Sequence, residues 1–115
     1  VRDLGDALKR RCLHLHIPLP EAALEKQIVA SRVPGIEASL TAELVNFVQT
    51  LRTLDLRKSP SISETVDWAR ALILLNAESL EPEIVRDTLN VILKFEQDIA
   101  AVEPQVGELI RRPAA

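Results

Sequence analysis

The sequence predicts an all-α fold: a small helical bundle, preceded by a short N-terminal helix and strand. Three observations predict it. Aromatic residues make up only 3% of the 115 residues against 47% hydrophobic, so the core must be Leu, Ile, Val and Ala, which suits packed helices. Leu40, Leu44, Phe47, Val48, Leu51 and Leu54 follow one another at the spacing of a single helix face. Ser61-Ile62-Ser63-Glu64 reads as a capping box, with Glu at the third helical position.

The N-terminal stretch is the exception to the helical pattern. Asp3 to Arg11 reads as a short helix with basic residues in its last turn, where they oppose the negative end of the helix dipole. Cys12 to Ile17 alternates apolar residues with His14 and His16, as a strand does, and Pro18 and Pro20 end it. A lone strand cannot satisfy its own backbone groups. The strand therefore expects a sheet supplied from elsewhere, and the chain reads as a piece of something larger. The absence of any Met points the same way.

The remaining elements follow in order. A helix from Pro20 to Arg32 takes Pro20 near its first turn, shows Leu24 and Ile28 as its buried stripe, and stops at Pro34-Gly35. The next helix has Ser39 as its N-cap and carries the Leu40–Leu54 face. Asp55 to Pro60 is a loop. The capped helix that follows runs to Leu75; Ala69 to Leu75 is apolar on most sides, which predicts the most buried, central helix. Ala77 to Glu81 connects it to a helix opened by Pro82. That helix is expected to bury Ile84, Thr88, Val91, Ile92, Phe95 and Ile99, and to break at Pro104. Gln105 to Ala115 is expected to be a short helical turn and then a frayed tail.

Composition excludes several classes. The net charge is −3, with four basic and two acidic residues in 1–17 (+2) and ten basic against fifteen acidic in the rest (−5). No clustered bases with interleaved aromatics mark a nucleic-acid partner, and no apolar run reaches the length of a membrane span. Cys12 is the only cysteine, so no internal disulfide forms, and a cytoplasmic location is expected. Gly5, Gly35 and Gly107 are scattered and open no phosphate loop.

Candidate chemistry is sparse. His14 and His16 could reach one metal from one strand face, but no third ligand is evident, and strand alternation alone gives that spacing. No metal site is expected. Cys12 and His14 lack an orienting carboxylate nearby. Glu64 and Asp67, three apart near a helix N-terminus, read as dipole-complementing charges rather than a catalytic pair. Trp68 reads as core. Arg57-Lys58 reads as a solvated loop pair, since Glu64 would repel an anion at that helix start. Arg10 and Arg11 have more potential: a guanidinium at a helix end can reach phosphate oxygens of a neighbour. On spacing alone the favoured reading is a solvated basic turn that satisfies helix carbonyls.

At these residues a resemblance enters. Ala7-Leu8-Lys9-Arg10-Arg11-Cys12-Leu13-His14-Leu15-His16-Ile17-Pro18 resembles the end of an AAA+ ATPase core, where an arginine-bearing helix feeds the last core strand. Ile28-Val29-Ala30-Ser31-Arg32-Val33-Pro34, Phe47-Val48-Gln49-Thr50-Leu51-Arg52, and the run from Leu56 to Leu72 are similar to the MoxR family, in the branch linked to carbon-monoxide-dehydrogenase maturation operons. Glu64-Thr65-Val66-Asp67-Trp68-Ala69 is the most specific part. The resemblance covers residues 4–100.

The resemblance implies that residues 1–17 end an AAA+ core, 18–103 form the C-terminal lid and 104–115 are a tail. It implies a parent that binds and hydrolyses ATP with Mg2+ and forms a homo-oligomeric ring, usually a hexamer. Its partners would be the AAA+ core, neighbouring subunits and a von Willebrand factor A-domain protein, and its role chaperone-like maturation. Arg11, and after it Arg10, matches the arginine finger acting in trans. This chain alone, without Walker A and B motifs, would be inactive. One departure stands out: Ser61-Ile62-Ser63-Glu64 holds no sensor-2 arginine, so either Arg57 or Arg70 substitutes from another geometry or the contact is dispensed with. The alternative reading is a stand-alone helical protein-interaction module, whose strand could add to a partner's sheet edge.

Overall fold

A computed structural model describes residues 21–111, and over that span the chain is a small all-helical bundle. The expected N-terminal helix and strand, and with them Arg10, Arg11, Cys12, His14 and His16, lie outside the described residues. The elements are α1 (Ala22–Arg32), α2 (Ala38–Leu51), α3 (Ile62–Leu74), α4 (Pro82–Ile92), α5 (Glu96–Val102), a 3-10 turn (Glu103–Gln105) and α6 (Val106–Arg111). No strand occurs among the described residues, and none of their helices is long and apolar enough to cross a membrane.

Helix α2 is the centre of the bundle. It packs on α1, α3 and α6, while α4 packs on α3 and α6 and so closes the other side. Leu40, Leu44, Val45, Phe47, Val48 and Leu51 of α2 are buried, as the apolar spacing predicted. Thr41 and Thr50 are buried on the same helix, and their hydroxyls donate to the carbonyls of Glu37 and Asn46, each at 2.9 Å, so neither is left unpaired. The helix begins at Ala38 with Glu37 in the cap position, two residues before the expected Ser39. It closes at Leu51, leaving Leu54 half-buried in the following turn.

The expected central helix, α3, is buried only along one stripe. Val66, Trp68, Ala69 and Leu72 reach the core, whereas Leu74 is 82% exposed and Leu75 54%. Ala69 to Leu75, apolar except for Arg70, wraps most sides of a helix, but α3 packs chiefly on α1, α2 and α4. Trp68 sits in the core as predicted, its ring 5.4 Å from that of Phe47 and its Nε1–H donating to Thr88 Oγ1 at 2.7 Å.

Two further departures shape the C-terminal half. The helix opened by Pro82 ends at Ile92, and Leu93 and Phe95 are extended (φ −118° and −115°). The break buries Leu93 and starts α5 on a new axis, leaving Phe95, expected in the core, 37% exposed. Pro104 stands in the first turn of the 3-10 segment, a position that needs no N–H. It re-angles the chain instead of ending it. Residues up to Arg111 continue as α6, whose Val106 and Leu109 are fully buried against α2 and α4.

Candidate functional site

The side of the bundle formed by α1, the 55–61 loop and the start of α3 concentrates the polar chemistry. At its base lies a buried ion pair. Glu25 of α1 is 0% exposed, and both its oxygens are taken by Arg52, from Nη1 to Oε1 at 2.6 Å and from Nη2 to Oε2 at 2.8 Å. Gln49 donates a further hydrogen bond to Oε1 at 2.8 Å. Arg52 is itself held: its Nε donates to the Pro60 carbonyl at 2.9 Å, and Nη2 lies 3.5 Å from Thr65 Oγ1. Burial alone would push the Glu25 carboxyl up. The hydrogen bonds and charge of Arg52, with Thr65 and Gln49, outweigh it and hold the group below its ordinary 4.5.

This pair overturns the expected stripe on α1. Glu25 and Val29 face the core, while Leu24 is 50% exposed and Ile28 only half-buried. No local signal announces this: a Glu among apolar neighbours reads as surface until Arg52, 27 residues on, is placed beside it.

The loop above the pair is fixed from two directions. Asp98, at the start of α5, is buried and accepts the backbone N–H of Arg57 at 2.9 Å and of Lys58 at 3.2 Å. The capping box forms as the sequence predicted: Glu64 Oε1 accepts the Ser61 N–H at 2.7 Å and its hydroxyl at 2.6 Å. The other oxygen faces Lys58 and Lys94, at 3.8 and 3.9 Å. Burial raises the Glu64 pKa, but the Ser61 hydrogen bonds and then the two lysines outweigh that effect, and the net direction is down.

The candidate arginines are engaged separately. Arg57 lies over the Phe95 ring, 4.7 Å from its centroid. Arg70 pairs with Asp67 at 3.8 Å, and its Nη2 is 3.4 Å from the Arg32 carbonyl, at the end of α1. Asp67 is exposed and turned to Arg70, whereas Glu64 is turned to Ser61, so the two carboxylates form no acid–base pair.

Between α1 and the start of α3 runs an open groove of about 540 Å³. Leu24, Ile28 and Ile62 give it an apolar floor, and Gln27, Ser31, Arg32 and Ser63 a polar rim. Sequence reasoning missed it because it assigned Leu24 and Ile28 to the core. A second depression, about 410 Å³, lies between Glu43, Leu80, Glu81 and Arg111. Its Glu43 carboxylate is committed to the Leu80 N–H at 2.7 Å.

Among the described residues no three His, Cys, Asp or Glu side chains converge as metal ligands. Gly35 (φ +90°) serves the turn after α1, and Gly107 lies within α6, so neither belongs to a phosphate cradle. What this face offers is a groove with an apolar floor and a polar rim that includes Arg32. Comparison with protein-family models, with curated proteins and with solved structures gives no match.

Proposed function

We propose that this chain supplies the C-terminal lid of a MoxR-type AAA+ ATPase, closing over the adenine side of a nucleotide whose phosphates and magnesium are held by the core. The observation that carries this reading is where the resembling residues fall. The run from Leu56 to Leu72 builds the braced loop and the start of α3, and its Ile62 and Ser63 form one wall of the groove. The apolar floor suits the face of a base, and Arg32 at the rim suits an anionic neighbour. Of the two substitutes for a sensor-2 arginine, Arg70 is the better placed, because it reaches the Arg32 carbonyl beside the groove while Arg57 is turned to Phe95. Arg11, with Arg10 behind it, is the finger that would reach the neighbouring subunit's nucleotide in a homo-oligomeric ring. The cytoplasmic setting and a von Willebrand factor A-domain partner belong to the same reading.

The test is made on the natural product, isolated from its source cells with an antibody against this chain. The expected product is far above 12.8 kDa, turns over ATP, and loses most of that turnover on Arg11→Ala with the lid still folded. Unchanged turnover in that variant removes the finger assignment. A product of 12.8 kDa without ATP turnover replaces the whole reading by the second one, a stand-alone helical interaction module. The Leu24–Ile28–Ile62 floor, half-buried at both isoleucines and exposed at Leu24, favours that second reading in its own right, since a surface groove of apolar side chains is also how a helix-binding module would look.

A further inference from the structure

Helix α1 has two apolar stripes from which the fold could choose. Leu24 and Ile28 lie on one, Val29 and Val33 on the other, and neighbouring positions are separated by about 100° around the helix. Hydrophobicity alone does not decide between them: the row through Leu24 and Ile28 continues to Arg32, and the row through Val29 and Val33 includes Glu25. In the observed setting Glu25, Val29 and Val33 are buried, and Leu24 is half exposed. Apolar contacts are non-directional and would accept either stripe. The Glu25–Arg52 contact is not so permissive. It is a two-pronged bond at 2.6 and 2.8 Å, to a guanidinium that is itself held by the Pro60 carbonyl. Gln49 fixes the same carboxylate from α2.

We propose that the buried Glu25–Arg52 pair sets the rotation of α1, keeping Leu24 and Ile28 at the surface as the floor of the groove with Ile62. Turning α1 to bury Leu24 and Ile28 would carry Glu25 off the guanidinium and leave the buried Arg52 without its carboxylate. The pair therefore selects among packings, a role documented for some buried polar groups. The inference stands independently of the ATPase reading, because it concerns only which stripe faces out.

The test uses the full 115-residue chain with Cys12→Ser and one new thiol, from either Leu24→Cys or Val29→Cys. With the pair intact, a maleimide reagent is expected to label position 24 more than about tenfold faster than position 29, whose labelling awaits local opening. Replacing the pair by Glu25→Leu with Arg52→Leu keeps a buried volume filled without the directional bond. In that variant, helical by circular dichroism, the contrast is expected to fall to within about twofold or to invert as the helix turns. An unchanged contrast in the folded double variant overturns the proposal. Should that variant not fold, Glu25→Gln, which keeps the shape and removes the charge, is read in the same way: faster labelling at position 29 supports the proposal and an unchanged contrast overturns it.

Discussion

The carboxylate of Asp98 accepts the backbone N–H of Arg57 at 2.9 Å, across 41 positions of sequence, and with its second oxygen that of Lys58. A loop otherwise without regular structure thereby gains a charged acceptor for two of its donors. Truncation at Asp98→Ala removes both hydrogen bonds, a loss of about 2–3 kcal/mol for hydrogen bonds to a charged group. Asp98→Asn keeps one acceptor and is expected to cost about half as much. Urea midpoints compared at constant m-value measure both. An alanine variant as stable as the parent would mean that the loop holds its shape without this anchor.

The two buried glutamates make stability fall in acid. Glu25 and Glu64 each have a folded-state pKa below the ordinary 4.5. The unfolded chain therefore binds their protons first as pH drops. Their contribution is fully present above about pH 5 to 6 and drains away as pH falls through 4.5 toward the folded-state values. Denaturation midpoints measured from pH 7 to pH 3 should decline steadily below pH 5, and Glu64→Gln should flatten part of that slope. A midpoint independent of pH over this interval, or one that rises in acid, contradicts the sign.

How far this fold was legible depends on whether its determinants are local. The apolar face of α2, the Ser61–Glu64 box and Pro82 at the start of α4 are written within one or two turns of sequence, and the structure contains each. The break at Leu93–Phe95 carries no Gly or Pro. It is stabilised by what it allows, the burial of Leu93 and the reach of Asp98 to the loop, both of which depend on distant residues. The groove is hidden for the same reason. Leu24 and Ile28 read as core until Arg52 is known to lie beneath Glu25, and helical periodicity cannot distinguish two stripes one position apart.

Thr88 is the partner that allows a tryptophan in this core. Its hydroxyl accepts the Trp68 Nε1–H at 2.7 Å and donates to the Ile84 carbonyl at 2.8 Å, so the indole loses no hydrogen bond on burial. Thr88→Val preserves shape and removes the acceptor, stranding a buried donor at a cost of about 1–3 kcal/mol. Thr88→Ser should recover most of it. Trp68 is the only tryptophan, so its fluorescence follows unfolding and also reports any change around the ring in the native state. A valine variant with an unaltered midpoint would mean that the indole finds another acceptor.

Asn76 closes α3 in the left-handed region, with φ +60°. Its N–H donates to the Ile73 carbonyl at 2.9 Å, and that of Ala77 donates to Leu72 at 3.0 Å, the paired bonds of a Schellman termination. Leu72 is buried and Ala77 half-buried at this end, the positions where such a motif commonly adds an apolar contact. Asparagine tolerates the conformation, but glycine adopts it without a Cβ penalty. Glycine also gives the unfolded chain more freedom, which offsets part of the gain. Asn76→Gly is therefore expected to be neutral to stabilising, by up to about 1 kcal/mol, whereas Asn76→Val, branched at Cβ, should lose about 1–2 kcal/mol. Thermal midpoints decide the order. Valine matching glycine would mean that the helix can end without the left-handed residue and that the exposed Leu74–Leu75 end frays freely.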